Sequence, residues 1–481
     1  MEPLPEEHTD CVPRAAYEKA LADVAALRSE NSELKRRLYG RKSEKMPSPS
    51  SELRRRGRKP DPRAARRRRQ ATQQAKAELP EERIEHPVPP ESCTCPKCGS
   101  TDLKPLGAGE ERVVYERVPE HFVRQVHVLQ KLACGCGEHI VQAQGPRRVG
   151  EQCTYGPGLI AHLVTSKCAD STPFYRLQKQ CKRSGMPLAR STMVDLFHLA
   201  ARELKPIYDE LLRHIAMWPI VQADETTLKM QDGRKGWVWT FLNRWMIAYV
   251  FTTSRSGQTP LQVLGGTPGT LVVDAYTGYN RVTTPDGRER AGCLAHLRRK
   301  LFEALDGELD NPEPAIVFAL DRILDVYRVE HDAREQGIVG GKRHLAMRRQ
   351  RAGPAMQRLH EHLVEQEPKW PPRSKLGKAI GYALKQWTPL TRFLHDARVP
   401  VDNNASERAL RVVALGRKNY LFVGHEDAGQ NTAILYSLVA SCEANDVNPE
   451  EYLADVLLRV QTHPADKLVE LLPHAWVPEG M

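Results

Sequence analysis

The chain has 481 residues, with 71 Lys and Arg against 60 Asp and Glu, a formal net charge of +11 and a pI near 9.1. That length exceeds one hydrophobic core, so roughly two to four modules are expected, and the positive balance favours a polyanion such as nucleic acid over an acidic small molecule or a membrane surface. No apolar run approaches the roughly 18 to 20 residues that span a bilayer, and the opening MEPLPEEHTD lacks the basic-then-apolar pattern of a secretory signal.

A cytoplasmic protein is therefore expected, with no membrane partner. Eleven cysteines in a reducing compartment argue for metal ligands or free thiols rather than disulfides.

The first periodic segment spans 17 to 38. Tyr17, Val24, Asn31 and Leu38 fall seven apart, as do Ala20, Leu27 and Leu34, which makes an a/d seam over three heptads. Residues 1–45 are read as a parallel coiled coil that joins the chain into a homodimer or higher oligomer, with Asn31 at an a position selecting register. An amphipathic helix packed on its own chain is the other reading. Residues 46–92 read as a disordered basic linker, since RRRGRKPDPRAARRRR (54–69) holds ten basic side chains, one acid and no apolar face. Its RGRKP core, with Arg56 and Arg58, looks like an AT-hook and suits phosphate neutralisation or minor-groove insertion.

Residues 93–148 carry CTCPKCGS and CGCG. Cys95 and Cys98 supply two thiolates from one knuckle, and Cys134 and Cys136 can close a tetrahedral site, so a structural Zn²⁺ ribbon is expected. The 23 residues from Glu111 to Ala133 read as two strands between the knuckles; free cysteines in a small β unit are the alternative. From 149 to 215 the pattern is helical. A helix over 172–184, the turn GMPLA and one long helix over 190–215 are compatible with a helix-turn-helix whose second helix presents Arg190 near its start. A plain helical hairpin fits the same pattern.

After Trp218 the period switches to strand. WPIVQAD (218–224), GWVWTFL (236–242) and MIAYVFT (246–252) are three short strands, with Asp-Gly turn chemistry between the first two. PLQVLGG reads as a short helix, TLVVDAYTGYN as a buried strand ending in an acid, and AGCLAHLRRKLFEAL as an extended piece running into a helix. The fold class is multidomain α/β, with a mixed sheet over 216–311, a helical insertion over 312–398, a return to the α/β unit over 399–440 and a helical tail over 441–481.

Asp224 closes the first strand, Asp274 the fourth, and Glu407 opens a helix far downstream. Three acids brought to one point repel one another unless a cation sits between them. All-oxygen donors suit Mg²⁺ or Mn²⁺, and a pair of such ions serves phosphoryl transfer. Each acid also has a local reading: Asp224 and Asp274 as turn residues, Glu407 as half of a capping box with Asn404. Glu225 and Asp402 are competing acids.

ADETT (223–227), VVDAYTGYN (272–280), GCLAHLRRKLFEA (292–304), DNNASERALR (402–411) and GRKNYLFVGHEDAG (416–429) resemble, in order, the signature blocks of the DDE transposases of the insertion-sequence 66 family. LYGRKSEK (38–45) and the cysteine knuckles resemble that family's zipper and zinc-ribbon regions, although C-x-C departs from a regular second knuckle.

The resemblance implies a ribonuclease-H-like core with Asp224, Asp274 and Glu407 as the metal-binding triad for two ions. It implies binding to terminal inverted repeats, cleavage of the element's ends and joining to target DNA, with accessory proteins of the same element as further partners. His296, Arg298, Arg299, Arg408, Arg411, Arg417 and Lys418 are candidates to hold phosphates near the metals, or else a solvated basic face. A non-catalytic DNA-binding regulator or an inactive transposase remnant is the rival reading, and a nuclease that only hydrolyses DNA is a third.

Overall fold

The computed structural model describes residues 122–479 apart from 134–139, 144, 151–152 and 306–311, together with Arg66, Gln70 and Gln74. The expected coiled coil, Arg56 and Arg58 of the basic linker, and Cys95, Cys98, Cys134 and Cys136 lie outside the described residues. Next to the second knuckle, β1 (Lys131–Ala133) pairs antiparallel with β2 (Ile140–Gln142). Residues 122–130 carry no regular structure, so of the second strand expected before the knuckle only its last three residues form, and their partner lies after the knuckle.

Four helices follow: α1 (Pro157–Cys168), α2 (Phe174–Arg183), α3 (Arg190–Glu203) and α4 (Lys205–Met217). The single long helix expected over 190–215 is broken at Leu204. Pro206 stands in the first turn of α4, where its missing N–H costs nothing, whereas inside a continuous helix it would remove a hydrogen bond and clash with the preceding turn.

The central sheet has the order β5-β4-β3-β6-β7, built from β3 (Ile220–Lys229), β4 (Lys235–Leu242), β5 (Ile247–Thr252), β6 (Thr270–Val272) and β7 (Glu289–Ala291). The β3–β4 and β4–β5 pairs are antiparallel, and β3–β6 and β6–β7 are parallel. Gly233, at φ +84°, makes the Asp-Gly turn between β3 and β4. A short helix, α5 (Gln258–Leu264), leads from β5 towards β6, and α6 (Leu294–Ala304) follows β7. Strand β3 is longer than expected: the polar run after Asp224 stays extended because it pairs with β4 as far as Lys229.

Between α6 and the third acid lie α7 (Pro314–Glu335), α8 (Lys342–Met347), a π turn (Arg348–Ala352), α9 (Gly353–Gln366), α10 (Lys375–Lys385) and α11 (Trp387–Thr391). The helical spacing read from Ile316, Leu320 and Ile323, and from Leu376, Ile380 and Ala383, is the buried face of α7 and α10. These residues share one apolar core with Leu294, Leu297 and Leu301 of α6 and Val272 of β6. The inserted helices are thereby packed onto the helix that follows the sheet's last strand.

Three α-helices come next, α12 (Asn404–Tyr420), α13 (Glu426–Ala444) and α14 (Pro449–Arg459), before a 3-10 turn over Ala465–Leu471. Helix α13 covers the edge strand β5. The outward N–H groups of Ile247 and Tyr249 donate to Ser441 Oγ at 3.0 Å and Ser437 Oγ at 2.8 Å, so the strand's open edge is satisfied by side chains four apart on one helix face. The tail helix starts at Pro449, with the Asn448 side chain capping Glu450 N–H at 3.0 Å. Among the described residues no helix is long and apolar enough to cross a membrane.

Candidate active site

Asp224 lies within β3, at the point where β3 and β6 part company. The parallel register pairs Ile220 with Thr270 and Gln222 with Val272; carried two residues further, it sets Asp224 beside Asp274, just past the end of β6. The two aspartates are fifty positions apart in sequence and neighbours across the sheet for that reason alone.

Each is oriented by its own backbone. Asp224 Oδ1 accepts from Glu225 N–H at 2.9 Å and Asp274 Oδ1 from Tyr276 N–H at 2.8 Å. The second oxygen of each has no hydrogen-bond donor among the described residues, and neither makes an ion pair. Burial pushes the Asp224 carboxyl up to about 7, against the pull of the Glu225 N–H, and the negative charges of Glu225, Asp274 and Glu407 add to the rise. The three acids of the expected triad therefore feel one another in the folded chain.

Glu407 reaches this place through Asn403. That residue is almost fully buried, donates from Nδ2 to the carbonyl of Ala223 at 2.7 Å, and accepts Ser406 Oγ–H at 2.9 Å. Helix α12 is thus pinned to β3 one residue before Asp224, with Glu407 on the helix's first turn. The capping-box reading of Glu407 does not hold. The carboxylate faces Arg299 on α6, whose Nη2 lies 3.1 and 3.3 Å from its two oxygens, with His296 Nε2 at 3.9 Å. The helix-start N–H of Asn404 is taken by Asp402 Oδ1 instead, at 3.1 Å.

The competing acids are engaged elsewhere. Asp402 accepts from Tyr327 Oη–H at 2.9 Å. Glu225 alternates to the other face of β3, where it accepts from Arg255 at 2.9 and 2.5 Å and from Tyr279 Oη–H at 2.6 Å. Tyr276, in the turn after Asp274, stacks on the Arg255 guanidinium at 4.1 Å and donates its hydroxyl to the Arg255 carbonyl. Glu225, Arg255 and Tyr276 together hold the Asp274 turn against β3. Sequence reading passed over Arg255 and Asn403, whose partners lie 30 and 180 positions away.

The cationic candidates divide. Arg299 and His296 stand at Glu407. Arg298 is half-buried where its charge reaches Tyr327. Arg417 is a brace inside the fold, with Nη1 donating to Thr226 Oγ1 at 3.0 Å and the Thr227 carbonyl at 2.7 Å. Arg408, Arg411 and Lys418 are exposed along α12, and Arg190 is exposed at the start of α3.

The donor chemistry fits a hard divalent ion: two aspartate oxygens without protein partners, a third carboxylate on the adjoining helix, and an excess of negative charge on the buried member. Among the described residues no three His, Cys, Asp or Glu side chains are gathered tightly enough to enclose an ion as they stand, and Glu407 is turned to Arg299.

Comparison with known proteins bears on the family. Residues 152–431, from α1 to the start of α13, match the model described as Transposase IS66 family; residues 437–474 match the IS66 C-terminal element; and residues 92–137 match the zinc-finger binding domain of transposase IS66, a span that includes Cys95, Cys98, Cys134 and Cys136. Similar proteins include two uncharacterized proteins of Sinorhizobium fredii (strain NBRC 101917 / NGR234). Protein y4jD is 32% identical over 412 residues, covering 81% of this chain and 79% of the relative; y4hP is 30% identical over 413 residues, covering 81% and 74%. With its core, C-terminal element and zinc-finger segment all matched in order, the chain belongs to the IS66 transposase family.

Proposed function

We propose that this chain is a DDE-type DNA transposase that binds the terminal inverted repeats of its insertion sequence, cleaves the element's ends and joins them to target DNA. The observation that carries the reading is the pair Asp224 and Asp274, set side by side where β3 and β6 diverge, partly buried and without an ion-pair partner among the described residues, with the helix of Glu407 pinned over them by Asn403. Three antiparallel strands followed by two parallel ones support a ribonuclease-H-like core for this chemistry.

Asp224, Asp274 and Glu407 would hold two Mg²⁺ or Mn²⁺ ions, which when bound supply activation of the attacking oxygen and stabilisation of the leaving one. The protein's part is geometric and electrostatic. The Glu225 and Tyr276 N–H groups fix the aspartates' rotamers, and Asn403 sets the height of Glu407 above the sheet. Arg299 and His296 hold Glu407 in place until the site is loaded. Cys95, Cys98, Cys134 and Cys136 hold a structural Zn²⁺ whose ribbon, with the basic linker, engages DNA, and the heptads at 17–38 dimerise the chain.

The test is strand joining of labelled terminal-repeat DNA to a target plasmid in Mg²⁺, with Asp274→Asn beside the wild type. Loss of joining by about three orders of magnitude or more is expected, the scale of removing a group that acts on the transition state. Equal joining by both proteins would overturn the triad and favour a non-catalytic DNA-binding protein; cleavage without joining would make the chain a nuclease.

A further inference from the structure

The sequence pattern points to α3 as the helix that would read DNA, and the fold places α3 badly for that. Met193, Leu196, Phe197, Ala200 and Ala201 are buried along it, where it packs on α1 and α13. Helix α2 is the free one. Only Leu177 and Cys181 are buried, and Arg176, Lys179 and Arg183 fall at i, i+3 and i+7 on its open face, with Lys182 alongside. No acid occurs from Ser171 to Val194.

Exposed cations elsewhere in the described residues commonly find a carboxylate on their own chain: Lys205 with Asp209 and Arg213 with Glu210 on α4, Arg328 with Asp325, Arg351 with Asp332, Arg398 with Asp396. The four cations of α2 have no ion-pair partner among the described residues. The same is true of Arg408, Arg411 and Lys418, which run along the open face of α12 from beside Glu407.

The start of α2 and the end of α12 lie close together. Lys167, buried at the end of α1, places its ammonium 4.7 Å from the Phe174 ring at the start of α2 and 4.3 Å from the Tyr420 ring at the end of α12. Asn419 Nδ2 donates to the Ser171 carbonyl at 3.0 Å. At 10 and 17 residues the helices are about 15 and 26 Å long, the scale of one turn of duplex, about 34 Å.

We infer that α2 is a DNA-backbone surface, with Arg176, Lys179, Lys182 and Arg183 neutralising phosphates of duplex that continues from the α12 face out of the active site. The inference rests on the reading of DNA as substrate and adds the surface that holds it. It is sequence-independent contact, so it positions the duplex and does not select the repeat.

The experiment measures affinity of the full-length protein for a mixed-sequence duplex as a function of KCl, without added divalent cation so that no cleavage intervenes. Lys179→Gln/Lys182→Gln/Arg183→Gln lowers the slope of log K against log[salt] by about 2 to 3, near 0.9 per lost phosphate contact. Lys179→Arg/Lys182→Arg keeps the wild-type slope, and Lys205→Gln, from a paired cation, leaves it unchanged. As a measurement independent of those variants' folding, a benzophenone amino acid at Gln180 on α2 cross-links to the duplex, and one at Asp195 on α3 does not. An unchanged slope in the triple variant, or cross-linking from Asp195 and not Gln180, overturns the α2 surface while leaving the active-site reading standing. A wild-type protein with no salt-dependent DNA binding overturns both.

Discussion

Glu330 and Asp224 are both carboxylates largely removed from water, and their surroundings are opposite. Glu330, on α7, receives Arg348 Nε at 2.7 Å and Nη2 at 2.8 Å, and lies 3.1 Å from His344 Nε2. Since His344 Nδ1 accepts from Gly340 N–H, the Nε2 side donates. Arg348 Nη1 goes on to the carbonyls of Phe393, Asp396 and Val399. The π turn at 348–352 includes this arginine, and every charge in the group is matched. Around Asp224 the near charges are three more acids. The first arrangement closes a fold, tying the inserted helices to the segment that leads into α12. The second is incomplete without something positive, which is the physical signature separating a functional site from a structural ion pair.

That contrast can be broken at either end. The largest effect on stability is expected from Arg348→Met, which leaves Glu330 buried and uncompensated. A loss of about 3 to 5 kcal/mol in denaturant unfolding is predicted, most of it recovered in Glu330→Leu/Arg348→Met. A single variant as stable as the wild type would mean that the cluster is not holding the fold.

Asp224→Asn should act in the other direction. The folded-state carboxyl titrates at about 7, above its unfolded value. Its contribution to stability is therefore complete below about pH 4 and is lost as pH rises through about 7. The wild type without divalent ion should lose on the order of 2 kcal/mol relative to Asp224→Asn between pH 5 and pH 8. Parallel pH profiles for the two proteins would show that Asp224 carries no such strain. At the small end, Lys205→Ala removes an exposed pair with Asp209 on α4 and should change stability by less than about 0.5 kcal/mol, marking the background against which the buried groups are judged.

Much of this was legible in the chain. The three antiparallel strands and the apolar faces of α7 and α10 follow from periods of 2 and 3.6, and the aspartates of the site are at the ends of apolar runs. What escaped was set by contacts distant in sequence. The run from Thr226 to Lys229 reads as loop because it is polar, yet it is strand, with Thr226 and Thr227 receiving Arg417 from α12. Glu407 has the spacing of a capping box, and its partner Arg299 lies 108 positions upstream. A turn between two helices also cannot show that α13 packs on α3 while most of α2 stays open.

The most direct measurement is Mn²⁺ binding followed by electron paramagnetic resonance on the zinc-replete, full-length protein, with Asp224→Asn, Asp274→Asn and Glu330→Gln in parallel. If the unmatched acids are the metal site, both aspartate variants lose Mn²⁺ that the wild type binds, and Glu330→Gln retains it. Equal binding by the wild type and both aspartate variants would contradict the account.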